Sequence, residues 1–352
     1  MRRAAHPGLD RPGRAGALAA AVLAVLVLIP AVLAARDAVA QIEFSGGVTS
    51  LRVCMEANSP PFSVDRRAEG EGFDLAITRA VAEALSRPLT IVWFRSEEDE
   101  ESSLKGDVQA LLGGDLCDLV GGYLLDHGTL KAPTDRMRPL PEIVAIADGP
   151  GGTKRAVLEV PEIVRLTDGP KKPLVPPAAI DHSRAYRFAP LAVMTGPALG
   201  IYEISSLDAL DGKRIGVEEG TLADTILMLY RQRKLVDSII HYVPHGGLIA
   251  DLAAGNLDFA MMELHRFDVY RRRQKKAEIH PTGFLHPVGF NFGFVARAAD
   301  RALLDAVDRA LDRILASDAP ARFAAAAEMT FVPPQEPDIQ PAISLGYLLR
   351  GD

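Results

Sequence analysis

The sequence predicts an α/β protein built from two similar lobes, and two observations support this. First, the 352 residues contain two stretches in which strand and helix patterns alternate, which is typical of parallel sheets with right-handed crossovers. Second, the two stretches share a local signature: residues 110–120 read ALLGGDLCDLV and residues 253–260 read AAGNLDFA. In each, a helix ends at glycine and an Asp introduces an apolar strand. Alternation alone would fit any βαβ units, whereas the shared signature favours two related lobes.

The first stretch covers residues 51–122. Short runs of β-branched, aromatic and other apolar residues predict strands over 51–54, 89–94 and 118–122. Between these strands, apolar residues recur at helical spacing over 73–85 and again over 104–112. The order is therefore strand, helix, strand, helix, strand.

The second stretch repeats this order. Strands are predicted over 213–217, 239–243 and 258–262, and helices begin at Leu222 and Leu248. The chain closes with a helix over about 301–316, a short Ala-rich helix and a Pro-containing tail that we expect to wrap the surface.

A Pro-rich segment over 131–190 separates the two stretches and holds 10 of the 25 prolines. Its apolar pieces, 143–146 and 156–160, could pair as a hairpin. A connection this long inside a compact domain is an insertion with its own role or a mobile flap.

The first 40 residues have the three parts of a secretory signal peptide. Four arginines precede an apolar run over 15–34, and Ala38-Val39-Ala40 forms a small-x-small cleavage site. The alternative is an uncleaved membrane anchor, because the run approaches spanning length. Cleavage predicts a periplasmic protein that does not span the membrane, in a compartment where disulfides can form.

Composition excludes several function classes. A net charge of −7 argues against nucleic-acid binding. Two cysteines are too few for a disulfide framework or a four-cysteine zinc site. The sequence has no phosphate-binding loop and no Gly-x-Ser-x-Gly elbow, and its eight histidines lack metal-ligand spacing. We therefore predict no cofactor and no metal, and the balance favours binding over catalysis.

Candidate ligand residues lie where strands end, because ligands of α/β sheets bind at the carboxyl ends of strands. Phe62 offers an aromatic face, Gly122 an accessible backbone, Thr221 a helix N-terminus that attracts anions, and Glu263 a carboxylate for an ammonium group. The full set is Asn58, Phe62, Gly122, Tyr123, Gly220, Thr221 and Glu263.

Each of these residues also has a purely structural interpretation. Phe62 could be a core aromatic, and Gly122 could serve a tight turn. Thr221 could be a plain helix cap, and Glu263 could pair with Arg266. The basic run over 271–276 could dock an acidic partner or be a solvated helix end.

Three segments in order resemble solute-binding protein family 3. They are LRVC with PPFS and GEGFDLA (51–76), SLDALDGKRIGVEEGT (206–221) and AAGNLDFAMME (253–263). The resemblance implies a two-lobed type 2 periplasmic-binding-protein fold, with a mostly parallel sheet flanked by helices in each lobe. It implies crossover strands near 191–201 and 291–297. Lobe 1 would hold 48–130 and 298–352, and lobe 2 would hold 191–297.

The chain is also similar to a subgroup of this family that accompanies quinoprotein dehydrogenases, including methanol dehydrogenase. The shared features are Cys54, Cys117-Asp118, AYRF over 185–188 and VYR over 269–271. The resemblance makes the strands of Cys54 and Cys117 neighbours, so a disulfide is plausible if their Cα atoms come within about 7 Å. Two buried free thiols are the alternative.

The resemblance implies an exported, non-enzymatic protein that closes around a small polar ligand. Its partner would be an ABC permease or a periplasmic quinoprotein dehydrogenase with its cytochrome. One departure disfavours an amino-acid ligand, because residues 123–131 lack the carboxylate-binding Arg of the family's amino-acid binders. The rival hypothesis is a dehydratase-like enzyme for a small carboxylate, with Glu263 as general acid or base.

Overall fold

We describe the fold from a computed structural model of the chain. It describes residues 50–65, 70–96, 104–134, 136–148, 153–154, 173–244, 246–275 and 278–339, together with 344 and 348. The expected signal peptide and the segment over 156–160 lie outside the described residues. Within these ranges, no helix combines the length and apolar character needed to cross a membrane.

Lobe 1 is built on three parallel strands. They are β1 (Leu51–Glu56), β4 (Leu89–Arg95) and β5 (Leu119–Leu124), with β1 in the middle. A short hairpin, β2 (Asn58–Ser59) and β3 (Ser63–Val64), follows β1. Helices α1 (Phe73–Ala84) and α2 (Leu104–Gly113) connect the strands, as the helical spacing predicted.

The Pro-rich segment contributes an edge to this lobe. Strand β6 (Arg138–Pro139) pairs with β9 (Leu174–Val175), and β7 (Glu142–Asp148) pairs antiparallel with β4. Strand β8 (Thr153–Lys154) completes a hairpin with β7. A hairpin therefore includes 143–146, and its described partner is β8; the predicted partner over 156–160 lies outside the described residues.

Lobe 2 repeats the parallel core. Its strands are β11 (Ile215–Glu218), β12 (Ile239–Tyr242) and β13 (Phe259–Glu263), with β11 in the middle. Its helices are α3 (Leu222–Arg233), α4 (Leu248–Ala253) and α5 (Leu264–Arg273). Apolar residues of strands and helices form a buried core on each sheet face.

Two long antiparallel strands join the lobes. These crossover strands, β10 (Ile180–Thr195) and β14 (His280–Arg297), lie at the centre of one sheet with the order β12-β11-β13-β10-β14-β5-β1-β4-β7-β8. Helices α6 (Arg301–Leu315) and α7 (Ala319–Ala326) follow, and α6 packs on α1 and β10. The two-lobed α/β fold predicted from the sequence is confirmed.

The crossover strands start earlier than the sequence predicted. The sequence placed them near 191–201 and 291–297, whereas β10 begins at Ile180 and β14 at His280. Residues 180–190, assigned to the insertion, belong to β10. Prolines hid these starts, because proline is uncommon inside strands; Pro190 is accommodated beside a register shift between β10 and β14.

Cys54 and Cys117 form a disulfide in the core of lobe 1, with their Cα atoms 5.7 Å apart. Cys54 lies in β1, and Cys117 lies just before the neighbouring β5. Both cysteines are fully buried among apolar side chains. The bond implied by the family resemblance is confirmed, and the free-thiol alternative is wrong.

Candidate functional site

The predicted ligand residues lie on both lobes. Asn58, Phe62, Gly122 and Tyr123 belong to lobe 1, and Gly220, Thr221 and Glu263 belong to lobe 2. Asn58 is exposed in the short hairpin after β1, where it pairs with Val64. Phe62 makes one of the contacts between the lobes.

Phe62 is buried, and its ring already contacts a guanidinium group and another ring. The guanidinium carbon of Arg187 lies 3.7 Å from the centre of the Phe62 ring. The ring of His265, from α5 of lobe 2, is 5.2 Å from it between centres. The aromatic face predicted for a ligand is therefore covered by the protein's own side chains. This agrees with the structural interpretation of Phe62 as a core aromatic, and its ligand role stays a prediction.

Arg187 is the central side chain of this region. Its Nε and Nη2 atoms donate to Asp74 Oδ1 and Oδ2 at 2.8 and 2.9 Å, and both side chains are only 3% exposed. The ring of Phe292 lies 3.8 Å from the guanidinium, so two aromatic rings enclose the cation. Nη1 is buried and has no hydrogen-bond partner among the residues that the structure describes.

Gly122 shapes the lobe 1 side of the ion pair. Its φ of +71° suits glycine, and a Cβ there would lie 2.6 Å from Asp74 Oδ2. Its backbone N–H donates to the hydroxyl of Tyr186 at 2.8 Å. Burial raises the Tyr186 pKa well above its usual value, with the Asp74 carboxylate adding to the shift. Glycine at position 122 therefore allows the Asp74 carboxylate to lie close to the backbone of β5.

Tyr123 lies in the lobe 1 core. It is 2% exposed and packs with the disulfide and its apolar neighbours. Its hydroxyl donates to the carbonyl of Thr129 at 2.9 Å, and burial raises its pKa. Its side chain thus supports the loop after β5, which was assigned to ligand contact from its position alone.

The N-terminus of α3 is capped from within the chain. Thr221 Oγ1 accepts from the backbone N–H of Asp224 at 3.2 Å, as an N-cap residue does. The Asp224 carboxylate accepts from the backbone N–H of Gly220 at 2.9 Å. Its other oxygen lies 3.0 Å from His241 Nε2. An anion at this helix end would compete with Asp224.

Glu263 lies at the end of β13, and its side chain is 32% exposed. Arg266 donates through both terminal nitrogens to Glu218, at 2.5 Å each, and lies 4.0 Å from Glu263. The expected Glu263–Arg266 pair therefore exists as a long contact, and Glu218 is the main partner of that arginine. Glu263 keeps capacity for a cationic group.

His265, near the start of α5, contacts lobe 1 through the ring of Phe62. Burial, together with the positive charges of Arg187 and Arg266, lowers its pKa to about 4. Its ring is therefore neutral at pH 7. The Nδ1 atom is buried, and within the described part of the chain it has no hydrogen-bond partner. Sequence reasoning missed His265, which is part of no motif. Arg187 lies in the AYRF segment over 185–188, but its pairing with Asp74 was not predicted.

A second contact joins the lobes at the surface. Arg272 of α5 donates to Glu71 of lobe 1 at 2.8 Å. Phe62, Pro190, His265 and Met329 are among the residues lining a small cavity with room for about one water molecule. In this structure, the two lobes meet around side chains of the protein itself. Among the described residues, no three metal-binding side chains cluster.

The fold has clear counterparts among solved structures. The second substrate-binding domain of a putative amino acid ABC transporter from Streptococcus pneumoniae superposes with a TM-score of 0.52 at 13% identity, over 79% of this chain and 99% of that one. The chain has a two-lobed type 2 periplasmic-binding-protein fold. Substrate-binding domain 2 of Lactococcus lactis GlnP, in an open conformation, gives a TM-score of 0.54 at 12% identity, over 80% and 97%. No protein-family model and no curated protein matches the sequence.

Proposed function

We propose that the protein is an exported, non-enzymatic solute-binding protein that opens and closes about β10 and β14 to hold a small polar ligand. One observation carries this proposal: Phe62 of lobe 1 meets His265 of lobe 2, and the ion pairs Glu71–Arg272 and Glu328–Lys275 lie at the surface between the lobes. Exposed ion pairs contribute only about 0–1 kcal/mol, so opening would cost little there.

The ligand would enter the open form and separate Phe62 from His265. Glu263 would then receive a cationic group, since its nearest basic side chain is the Arg266 already paired with Glu218. An α-carboxylate on the ligand would find fewer partners, because Arg187 is paired with Asp74 and the first turn of α3 is occupied by Asp224. We therefore favour a small cationic or neutral polar solute over an α-amino acid.

Thermal-shift screening of the purified protein would test this proposal. The panel should contain amino acids, polyamines, small organic acids, and calcium and lanthanide ions. A bound solute raises the melting temperature by mass action. Glu263→Gln should weaken binding of a cationic hit at least tenfold by calorimetry, whereas Glu83→Gln on the exposed face of α1 should not. No hit across the panel would count against solute binding.

A second candidate is an accessory protein that docks to a periplasmic quinoprotein dehydrogenase. It is favoured by the small cavity beside Phe62 and His265, which has room for about one water molecule, and by the Arg187 guanidinium that lies against the Phe62 ring. Measured binding to a purified quinoprotein dehydrogenase or its cytochrome, together with no solute hit, would favour this role. Binding to an ABC permease would favour transport.

An enzyme on the same scaffold requires Glu263 to act as acid or base on a small carboxylate. Incubation with candidate hydroxy acids, followed by product analysis, tests it. Turnover that Glu263→Gln abolishes while sparing binding would replace the binding proposal.

A further inference from the structure

The C-terminal segment over 329–338 crosses from one lobe to the other. It leaves α7, which packs on α1 of lobe 1. It then meets α5 of lobe 2 and runs over both crossover strands. The sequence predicted a tail wrapping the surface, and these contacts give the tail a more specific course.

The segment binds both lobes through adjacent residues. The ring of Phe331 lies 5.5 Å from that of Phe73, at the start of α1. Thr330 donates from its backbone N–H and its hydroxyl to the two carboxylate oxygens of Asp268 in α5, at 2.8 and 3.0 Å. Asp268 is 1% exposed, so these bonds to α5 are made by a buried charged acceptor.

The segment is also fixed to the crossover strands. Asn291 of β14, fully buried, donates to the carbonyls of Gln335 and Asp338 at 2.6 and 3.0 Å and accepts from the backbone N–H of Gln335 at 3.0 Å. The backbone N–H of Phe188 in β10 donates to the carbonyl of Val332 at 3.0 Å. The segment therefore cannot slide along the hinge without breaking these bonds.

We propose that residues 329–338 are a strap that holds the two lobes closed when no ligand is bound. Separating α5 from α1 would stretch the chain between Thr330 and Phe331, which are consecutive residues held by opposite lobes. The Glu71–Arg272 pair adds a latch at the surface. Closure by the strap goes beyond ligand-driven closure, although it rests on the part of the proposed function in which the lobes move.

Distance measurement on ligand-free protein tests the strap. Spin labels at His127→Cys in lobe 1 and Glu219→Cys in lobe 2 occupy exposed loop positions after β5 and β11. With the native strap, we expect one short distance. Thr330→Val/Phe331→Ala should add a population at longer distance, and Arg272→Met in the same background should enlarge it.

Matched control variants distinguish loss of the strap contacts from a general loosening of the fold. Thr225→Val, on the exposed side of α3, and Arg273→Met, beside the latch, should keep the short distance. Thr330→Val alone removes one hydroxyl bond and should give a smaller shift in the same direction if the double variant unfolds. Unchanged distances in folded strap variants, or a long distance in the native strap, would overturn the proposal.

This experiment is independent of the search for a ligand. A distance shift without any solute hit would leave the strap standing and reject solute binding. A solute hit with unchanged distances would leave solute binding standing and reject the strap.

Discussion

Arg187 and Asp74 form a bidentate ion pair at the junction of the lobes, with N–O distances of 2.8 and 2.9 Å and both side chains 3% exposed. Arg187 comes from a crossover strand and Asp74 from the first turn of α1. The rings of Phe62 and Phe292 lie against the guanidinium. One cation thus joins the hinge, lobe 1 and the aromatic residue that faces lobe 2.

Removing one member of this pair should be strongly destabilising. In Arg187→Met, the Asp74 carboxylate remains buried without its cation, which typically costs about 3–5 kcal/mol of unfolding free energy. Urea denaturation measures this loss. Arg187→Met/Asp74→Leu should recover much of it, because two apolar groups leave no buried charge. A double variant as unstable as the single would show that packing, not charge, sets the cost.

Gly122→Ala should destabilise lobe 1 more than Gly212→Ala. Both glycines have positive φ, +71° and +67°, which alone costs about 1–3 kcal/mol for other residues. Only at Gly122 would the new Cβ also meet Asp74 Oδ2, at 2.6 Å, whereas nothing lies within 4 Å at Gly212. Comparing the two unfolding free energies isolates the contact. Equal losses would contradict it.

Removing the disulfide should lower the free energy of unfolding, because the unfolded chain gains conformational entropy. Cys54 and Cys117 are separated by 63 residues, and closing a loop of this size stabilises by about 4 kcal/mol in the chain-entropy model. Cys54→Ala/Cys117→Ala should therefore unfold at a lower urea concentration, and reduction should lower the native protein's midpoint similarly. Addition of a reductant to the double variant should have no effect, which controls for damage elsewhere.

The contribution of two buried histidines to stability should fall as the pH drops from about 6.5 to about 4. Burial lowers the pKa of both His265 and His286 to about 4, against about 6.5 in the unfolded chain. Between these values the unfolded state binds more protons, so acid favours unfolding, by up to about 3 kcal/mol for each histidine. Above pH 6.5 both states are neutral and this stability is fully present.

Single substitutions identify the source of this pH dependence. His265→Gln should flatten the profile of unfolding free energy between pH 4 and 6.5 by one histidine's share, and His286→Gln by another. Thr225→Val, a substitution of an exposed residue without an ionisable side chain, should keep the native profile. If the His265→Gln profile matches the native one, His265 is not held neutral by its contacts with lobe 1.

The sequence determined most of the local structure of this protein. Apolar residues at helical spacing predicted α1 over 73–85, observed as Phe73–Ala84, and α6 over about 301–316, observed as Arg301–Leu315. Strands β1, β5, β11 and β13 lie within a few residues of their predicted positions. These predictions succeed because side-chain periodicity reports directly which face of an element is buried.

Family resemblance added the arrangement of the lobes and the disulfide. It could not supply the starts of the crossover strands, because Pro190 and the residues around it resemble a loop more than a strand interior. Position at the ends of strands predicted ligand roles for Tyr123 and Thr221, whose observed partners are the Thr129 carbonyl and the Asp224 amide. Position along a strand does not reveal what a side chain contacts.

Only the tertiary structure decided what fills the space between the lobes. Asp74 and Arg187 are 113 residues apart, Glu71 and Arg272 are 201 residues apart, and Asp268 meets Thr330 across 62 residues. None of these pairs is part of a local pattern, because their meeting depends on how the lobes pack about the hinge. The sequence and its family resemblance thus predicted two lobes and made a disulfide plausible, and the packing of those lobes decided that the protein's own arginine, histidine and C-terminal segment lie at the contact between them.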